Sequence, residues 1–174
     1  MANFPRLQPA FTIQVKIDPP TAVDSASRNK LMVVPMTSGT VKSEADSPLA
    51  FNGEFTGTGN DYIRMDPDGK RMRLDAHGVI QTVDGSSVYL NYTGIVEMTP
   101  ELAGILSDES ESVTTPFGKS FIHVTFQSLV GGKIQTGDAK YAELENRVWV
   151  GAGHFIYEKG QQPIVEYKVS KVGV

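Results

Sequence analysis

Phe11, Ile13, Val15 and Ile17 alternate with Thr12, Gln14, Lys16 and Asp18. That period of two is the mark of a strand with one apolar face. Pro19 and Pro20 stop it, and residues 21–28, TAVDSASR, read as loop. The pattern predicts a second strand from Asn29 to Ser38, broken near Pro35, where the missing N–H implies an edge, a bulge or a barrel corner. Gly39 turns or bulges the chain before Thr40 to Ser43. Leu49 to Thr56 is a strand with Phe51 and Phe55 on one face. The GTGND that follows places two glycines around Thr58 and needs a tight or positive-φ backbone. Tyr62 to Asp66 is a short strand, Pro67-Asp68-Gly69 a turn, and Lys70 to Val83 a long strand. Asp84-Gly85 turns again and Ser87 to Met98 runs back, so two adjacent hairpins form an antiparallel meander.

Thr99 and Pro100 read as the N-cap and first position of a helix that ends near Ser107. Asp108 to Thr115, DESESVTT, reads as a solvated acidic loop. Ser120 to Leu129 puts Ile122, Val124 and Phe126 on one face and Phe121, His123, Thr125 and Gln127 on the other. Gly131 to Glu145 is a loop with a helical turn around Ala139 to Leu144. Asn146 to Glu158 and Pro163 to Val172 are the last strands. The final one sets Val165, Tyr167 and Val169 against Glu166, Lys168 and Ser170. The expected fold is all-β: a single closed antiparallel up-and-down β-barrel of eight to ten strands with one short helix, spanning residues 1–174. Closure removes exposed edges, and glycines inside strands suit coiling. A barrel of about eight strands can hold one small ligand.

Composition narrows the function classes. The 174 residues are 40% apolar and 21% charged, with a net charge of −4. Lys and Arg are scattered, and the group Lys70, Arg71 and Arg73 is interrupted and followed by Asp75, so no basic stripe addresses nucleic acid. With no cysteine, disulfides, thiol catalysis and zinc–thiolate sites are excluded. No basic start leads into an apolar run, and no stretch approaches the ~18 apolar residues of a membrane helix. A cytoplasmic chain without a membrane partner is expected. Neither H-x-H nor H-E-x-x-H spacing occurs, so no metal is expected. G-x-S-x-G, P-loop and strand–G-x-G-x-x-G–helix units are also missing, so no cofactor is expected.

The segments RLQPAFTIQV, VVPMTSGTV, LAFNGEF, TGNDY, PDG, LDAHGVIQTVDGSSVYLNYTG, IQTGDAKYAELEN and VWVGAG follow one another in an order that resembles the domain-of-unknown-function 3237 family over nearly the whole chain. The resemblance implies a closed antiparallel barrel similar to those of allene oxide cyclase and the lipocalins. It also implies assembly as a homo-oligomer, a dimer or tetramer. Most members have no assigned activity. The chain departs from the family pattern at Asn60 and Tyr62, which replace Ala and Trp. His77 and Gly78 replace Arg and Tyr, and His123 falls where a second family Arg stands. If both histidines face one cavity, two fixed cations have become groups that exchange a proton near neutral pH.

The candidate chemistry follows, each residue with a plainer alternative. Asp61, after the glycine-rich bend, is a candidate general base or an acceptor for backbone N–H groups of the bend. His77 shares a strand face with Arg71, Arg73 and Asp75, opposite Met72, Leu74, Ala76, Gly78 and Ile80. Periodicity leaves open which face is inside; in a plain barrel His77 lies on the surface. His123 stands on the same argument, and His154 reads as a surface or rim residue. Tyr62, Tyr89, Tyr92, Phe121 and Trp149 either line an aromatic cavity or pack as ordinary strand residues, and Asp75 joins them as a substrate contact. The resulting expectation is a cofactor-independent cyclase or isomerase. It would act by acid–base catalysis through His77, His123 and Asp61 on a lipophilic oxygenated small molecule of natural-product type. The alternatives are a non-catalytic carrier barrel and a structural oligomer whose barrel is filled by side chains.

Overall fold

In a computed structural model, residues 3–23, 29–129 and 140–174 are described. The alternation of apolar and polar residues sets the architecture, because each long strand turns its apolar face to one shared interior. The strands are β1 (Arg6–Ile17), β2 (Thr21–Val23), β3 (Leu31–Ser43), β4 (Gly53–Met65), β5 (Arg71–Thr82) and β6 (Ser87–Glu97). After helix α1 (Pro100–Leu106) come β7 (Val113–Thr114) and β8 (Ser120–Leu129). Helix α2 (Ala142–Glu145) precedes β9 (Trp149–Tyr157) and β10 (Ile164–Gly173). The sheet order is β1-β10-β9-β8-β6-β5-β4-β3-β2, with every pair antiparallel. β1 also pairs β3, from Phe11↔Ser43 to Ile17↔Met36, which closes an eight-stranded up-and-down barrel. The short β2 and β7 are additions on β3 and β9.

Several expected boundaries move. The two strands expected around GTGND are one strand, β4, because the glycine-rich bend is a bulge inside it. Gly57 takes φ 77° there, and the register against β5 shifts between Phe55 and Gly59. Pro35 does not break β3. It lies where the register against β4 shifts, between Pro35 and Thr40, and its carbonyl accepts the N–H of Asp18 at 3.1 Å. A bulge needs no N–H at that point, so the proline is accommodated. Of the expected helical turn at 139–144, Ala139 and the preceding residues from 131 lie outside the described residues. The turn itself is α2, displaced toward the C-terminus.

The interior divides into two halves. Toward one end, Phe11 stands 5.5 Å from Phe51, 5.7 Å from Phe126 and 5.2 Å from Trp149 between ring centroids. Phe51 reaches Tyr141 at 5.8 Å. Edge-to-face packing of this kind fills the barrel bore with rigid rings. Trp149 Nε1–H donates to the Leu144 carbonyl at 2.8 Å and ties α2 to the plug. Toward the other end sits α1. Thr99 Oγ1 accepts the Leu102 N–H at 3.3 Å, Pro100 opens the helix, and Leu102 and Ile105 are buried. Among the described residues no helix is long and apolar enough to cross a membrane.

Candidate active site between Asp61, Tyr92 and Tyr167

Past its bulge, β4 points Asp61 and Ile63 inward. Asp61 is only 6% exposed. Between the pairs Asp61↔Ala76 and Arg64↔Arg73 the β4–β5 ladder carries no pair. In that gap the N–H of Asp75 donates to Asp61 Oδ1 at 3.1 Å. Burial pushes the Asp61 carboxyl up to about 7, against the pull of that N–H and with a smaller push from the Asp75 charge.

Two phenols face the same space. Tyr92 comes from β6 and Tyr167 from β10, with ring centroids 5.4 Å apart, and both are buried. The Tyr92 hydroxyl donates weakly to Met36 Sδ at 3.7 Å. Burial raises both phenols above their ordinary range, and the Asp61 charge adds to each rise. Both therefore stay protonated at neutral pH. The Ser120 hydroxyl, also buried, eases Tyr167 slightly downward, yet it meets no partner at full hydrogen-bond geometry. Gly153 pairs both Tyr167 and Ser120 across β9. The Tyr167 ring lies over that glycine, where a Cβ would occupy the space of the ring.

Asp61, Tyr92 and Tyr167 line a cavity of about 30 Å³ with Val34, Leu74 and Phe155, the size of about one water. Ile17 and Leu106 are also in its wall, and both line a second, wider space of about 430 Å³ at the α1 end of the barrel. Among the described residues no three His, Asp or Glu side chains converge as metal ligands do.

The family described as Protein of unknown function (DUF3237) matches residues 5–172. The chain belongs to this DUF3237 family. Solved structures show the same fold. A protein of unknown function from Rhodopseudomonas palustris is 20% identical, with a TM-score of 0.73 over 99% of this chain and 100% of that one. A β-barrel-like protein from Acinetobacter baumannii is 19% identical, with a TM-score of 0.68 over 99% of each chain. A structure described as an enzyme from Penicillium herquei is 16% identical, with a TM-score of 0.60 over 99% and 98%. A comparison with curated proteins gives no match.

In this DUF3237 chain, the inward positions of β5 belong to Met72, Leu74, Ala76, Gly78 and Ile80. His77 is therefore on the outer wall, its side chain 40% exposed. Nδ1 meets the Tyr89 hydroxyl and Nε2 lies 3.0 Å from Asp75 Oδ1. The Tyr62 ring stands 6.0 Å away. Tyr62, Asp75, His77 and Tyr89 thus form one outer cluster, separate from Asp61. His123 is also outside, two strands along, opposite Thr93 of β6. It lines an outer concavity of about 890 Å³ with Ile95 and Phe121, the latter 56% exposed. That hollow is therefore not the one that holds the buried carboxyl.

The expectation that both histidines share a cavity with Asp61 is corrected: the apolar faces of β5 and β8 take the inside. Trp149 is inside but belongs to the plug. Only Asp61 and Tyr92, of the residues singled out, meet in the inner cavity. His154 is not a rim residue. Its ring is stacked on Phe117 at 4.0 Å between centroids and lies between the Thr115 carbonyl and Glu166 Oε1. Sequence reasoning passed over Tyr167 and Ser120. The available signal was a phenol on the apolar face of the last strand, between Val165 and Val169.

Proposed function

We propose that this DUF3237 protein is a cofactor-independent acid–base catalyst, a cyclase or isomerase acting on a lipophilic oxygenated small molecule of the natural-product type. The observation that carries this reading is one buried carboxyl, raised to about 7, beside two phenols held neutral in an otherwise apolar cavity. A general base works best when its pKa lies near the operating pH. Asp61 removes a proton from a hydroxyl or an acidic carbon of the substrate. Tyr92 and Tyr167 donate hydrogen bonds to the oxygen on which charge develops, in a site where little water weakens them. One of them, or Asp61 once protonated, returns the proton to the acceptor atom. The wall supplies shape and holds the substrate near its folded, reactive form. The roles first sought in His77 and His123 pass to the two tyrosines.

Proton transfer can be followed without knowing the natural product. A panel of enolisable ketones and hydroxy-enones is incubated with the protein in D2O, and exchange, double-bond shift or ring closure is read by NMR. At least one compound is expected to react, with the rate falling more than a hundredfold in Asp61→Asn and by at least tenfold in Tyr92→Phe or Tyr167→Phe. A rate unchanged in Asp61→Asn sinks the reading. Compounds that bind and come back unchanged favour the carrier.

A further inference from the structure

The inner cavity, at about 30 Å³, cannot hold an organic molecule as it stands. The aromatic plug closes the barrel beyond it. At the α1 end, by contrast, Ile17 and Leu106 line both it and the funnel of about 430 Å³. Leu106 is the last residue of a helix of seven and belongs to no strand.

The funnel wall has an uneven chemistry. Asp18, Pro19 and Pro20 come from the loop after β1, Asp108 from the end of α1, and Tyr157 and Gln162 from the β9–β10 end. Among the described residues two carboxylates line it and no Lys, Arg or His does. Each carboxylate is held by a neutral donor. Gln162 Nε2–H donates to Asp18 Oδ1 at 2.6 Å, and the Tyr157 hydroxyl donates to Asp108 Oδ1 at 2.5 Å. The lysine of the neighbouring turn, Lys159, is directed to Glu111 at 2.5 Å instead. The acidic run after α1, which reads in the sequence as plain solvated loop, thus contributes a fixed charge to the mouth of a cavity.

We propose that this funnel is the mouth of the Asp61 site and that Asp18 and Asp108 select against anionic ligands, so that the molecule reaching Asp61 leaves a neutral or cationic group in the funnel. The proposal rests on the reading of the Asp61 cavity as the ligand site. Placing a carboxylate or phosphate between two like charges is unfavourable. A hydroxyl finds acceptors there, and an ammonium finds counter-charges. The fitting class is an apolar body with a hydroxyl, amide or amine at its outer end, and not a carboxylate, a phosphate ester or a thioester on a phosphorylated carrier.

Three 2-naphthols that differ only at C6 test this: the 6-carboxylate, the 6-carboxamide and the 6-aminomethyl compound, titrated at pH 7 by their own emission. The amide and the amine are expected to bind about tenfold or more tighter than the carboxylate. In the double variant Asp18→Asn, Asp108→Asn the carboxylate is expected to gain about tenfold and so draw level with the amide. Asn retains an acceptor for Gln162 and Tyr157 and tolerates the φ of 57° at residue 108, so the wall keeps its shape. Leu106→Trp is expected to weaken all three probes by more than about tenfold, and circular dichroism checks that it folds.

Equal or better binding of the carboxylate, an unchanged ratio in the double variant, or no binding of any probe overturns the proposal. So does a charge preference that survives with all three affinities unmoved by both Asp61→Asn and Leu106→Trp, because the funnel then binds apart from the cavity. A charge preference without any proton-transfer activity leaves the funnel assignment standing and removes the catalytic one.

Discussion

Asp75 and Asp61 point to opposite faces of the barrel wall, yet the main-chain N–H of Asp75 donates to Oδ1 of Asp61 at 3.1 Å. The wall is one sheet thick here, so an outer charge and an inner carboxyl share a single peptide unit. The Asp75 charge raises Asp61, second to burial among the raising influences. Asp75→Asn removes that charge and leaves the N–H in place. The Asp61 carboxyl is then expected to titrate lower than about 7, by roughly a few tenths of a pH unit to about one, and less in high salt. Carbon-13 NMR titration of the carboxyl measures it; a rise, or no movement, contradicts the coupling.

Asp61 titrates higher in the folded chain than in the unfolded one, so its ionisation opposes folding. The neutral group's contribution is complete below about pH 4 and is lost as the pH rises through about 7. A rise from 3.8 to about 7 corresponds to roughly 4 kcal/mol. Asp61→Asn cannot ionise and keeps an acceptor for the Asp75 N–H. It is expected to match the parent protein near pH 4 and to exceed it by about 2–4 kcal/mol at pH 8.5. Urea denaturation at both pH values tests this, and equal midpoints at pH 8.5 would count against a buried ionising carboxyl.

Gly153 leaves room for the Tyr167 ring, which crosses it toward Ser120. A methyl group there must displace a fully buried ring. Gly153→Ala is expected to cost about 1–3 kcal/mol and to lower proton-transfer activity as Tyr167→Phe does. The informative comparison is the double variant. If Gly153→Ala still lowers activity tenfold on a Tyr167→Phe background, the glycine acts through something other than the phenol.

Asp84, in the second DG turn, gathers three donors: Thr82 Oγ1 at 2.5 Å, the Tyr141 hydroxyl at 2.9 Å and Lys140 Nζ at 3.1 Å. The Thr82 hydrogen bond, then those of Tyr141 and Lys140, hold its carboxyl well below the usual carboxylate range. Its contribution is present at neutral pH and lost as the pH falls below about 4. Because the side chain is more than a third exposed, Asp84→Asn is expected to lose only ~1 kcal/mol at pH 7. The loss should shrink toward zero near pH 2 in thermal melts; a constant gap across that range would contradict the assignment.

The meander was legible because period-two alternation and the two DG turns are local signals. Closure and the bore's two halves were less so. The β1–β3 seam joins residues far apart in sequence, and nothing local in Phe11 or Ser43 announces it. Asp61 was readable as a candidate from its place after a glycine-rich bend. His77 was misplaced because a strand's alternation fixes two faces without saying which is inside. The plainer rule, apolar side inward, holds on β5, and an aspartate aligned with Ile63 followed it inward. Tyr167 escaped notice for the same reason that it matters: a phenol among Val165 and Val169 resembles core until the residues opposite it are known.

The aromatic plug has an optical consequence. Trp149 is the single tryptophan of the chain, and it is buried in the plug at the end away from α1, its N–H held by Leu144. Its emission therefore gauges one end of the barrel alone. Arrival of a ligand at Asp61 is expected to leave that signal nearly still, while loss of the plug is expected to shift it to the red. The protein carries its own lamp at the closed end, which separates unfolding from binding in one cuvette.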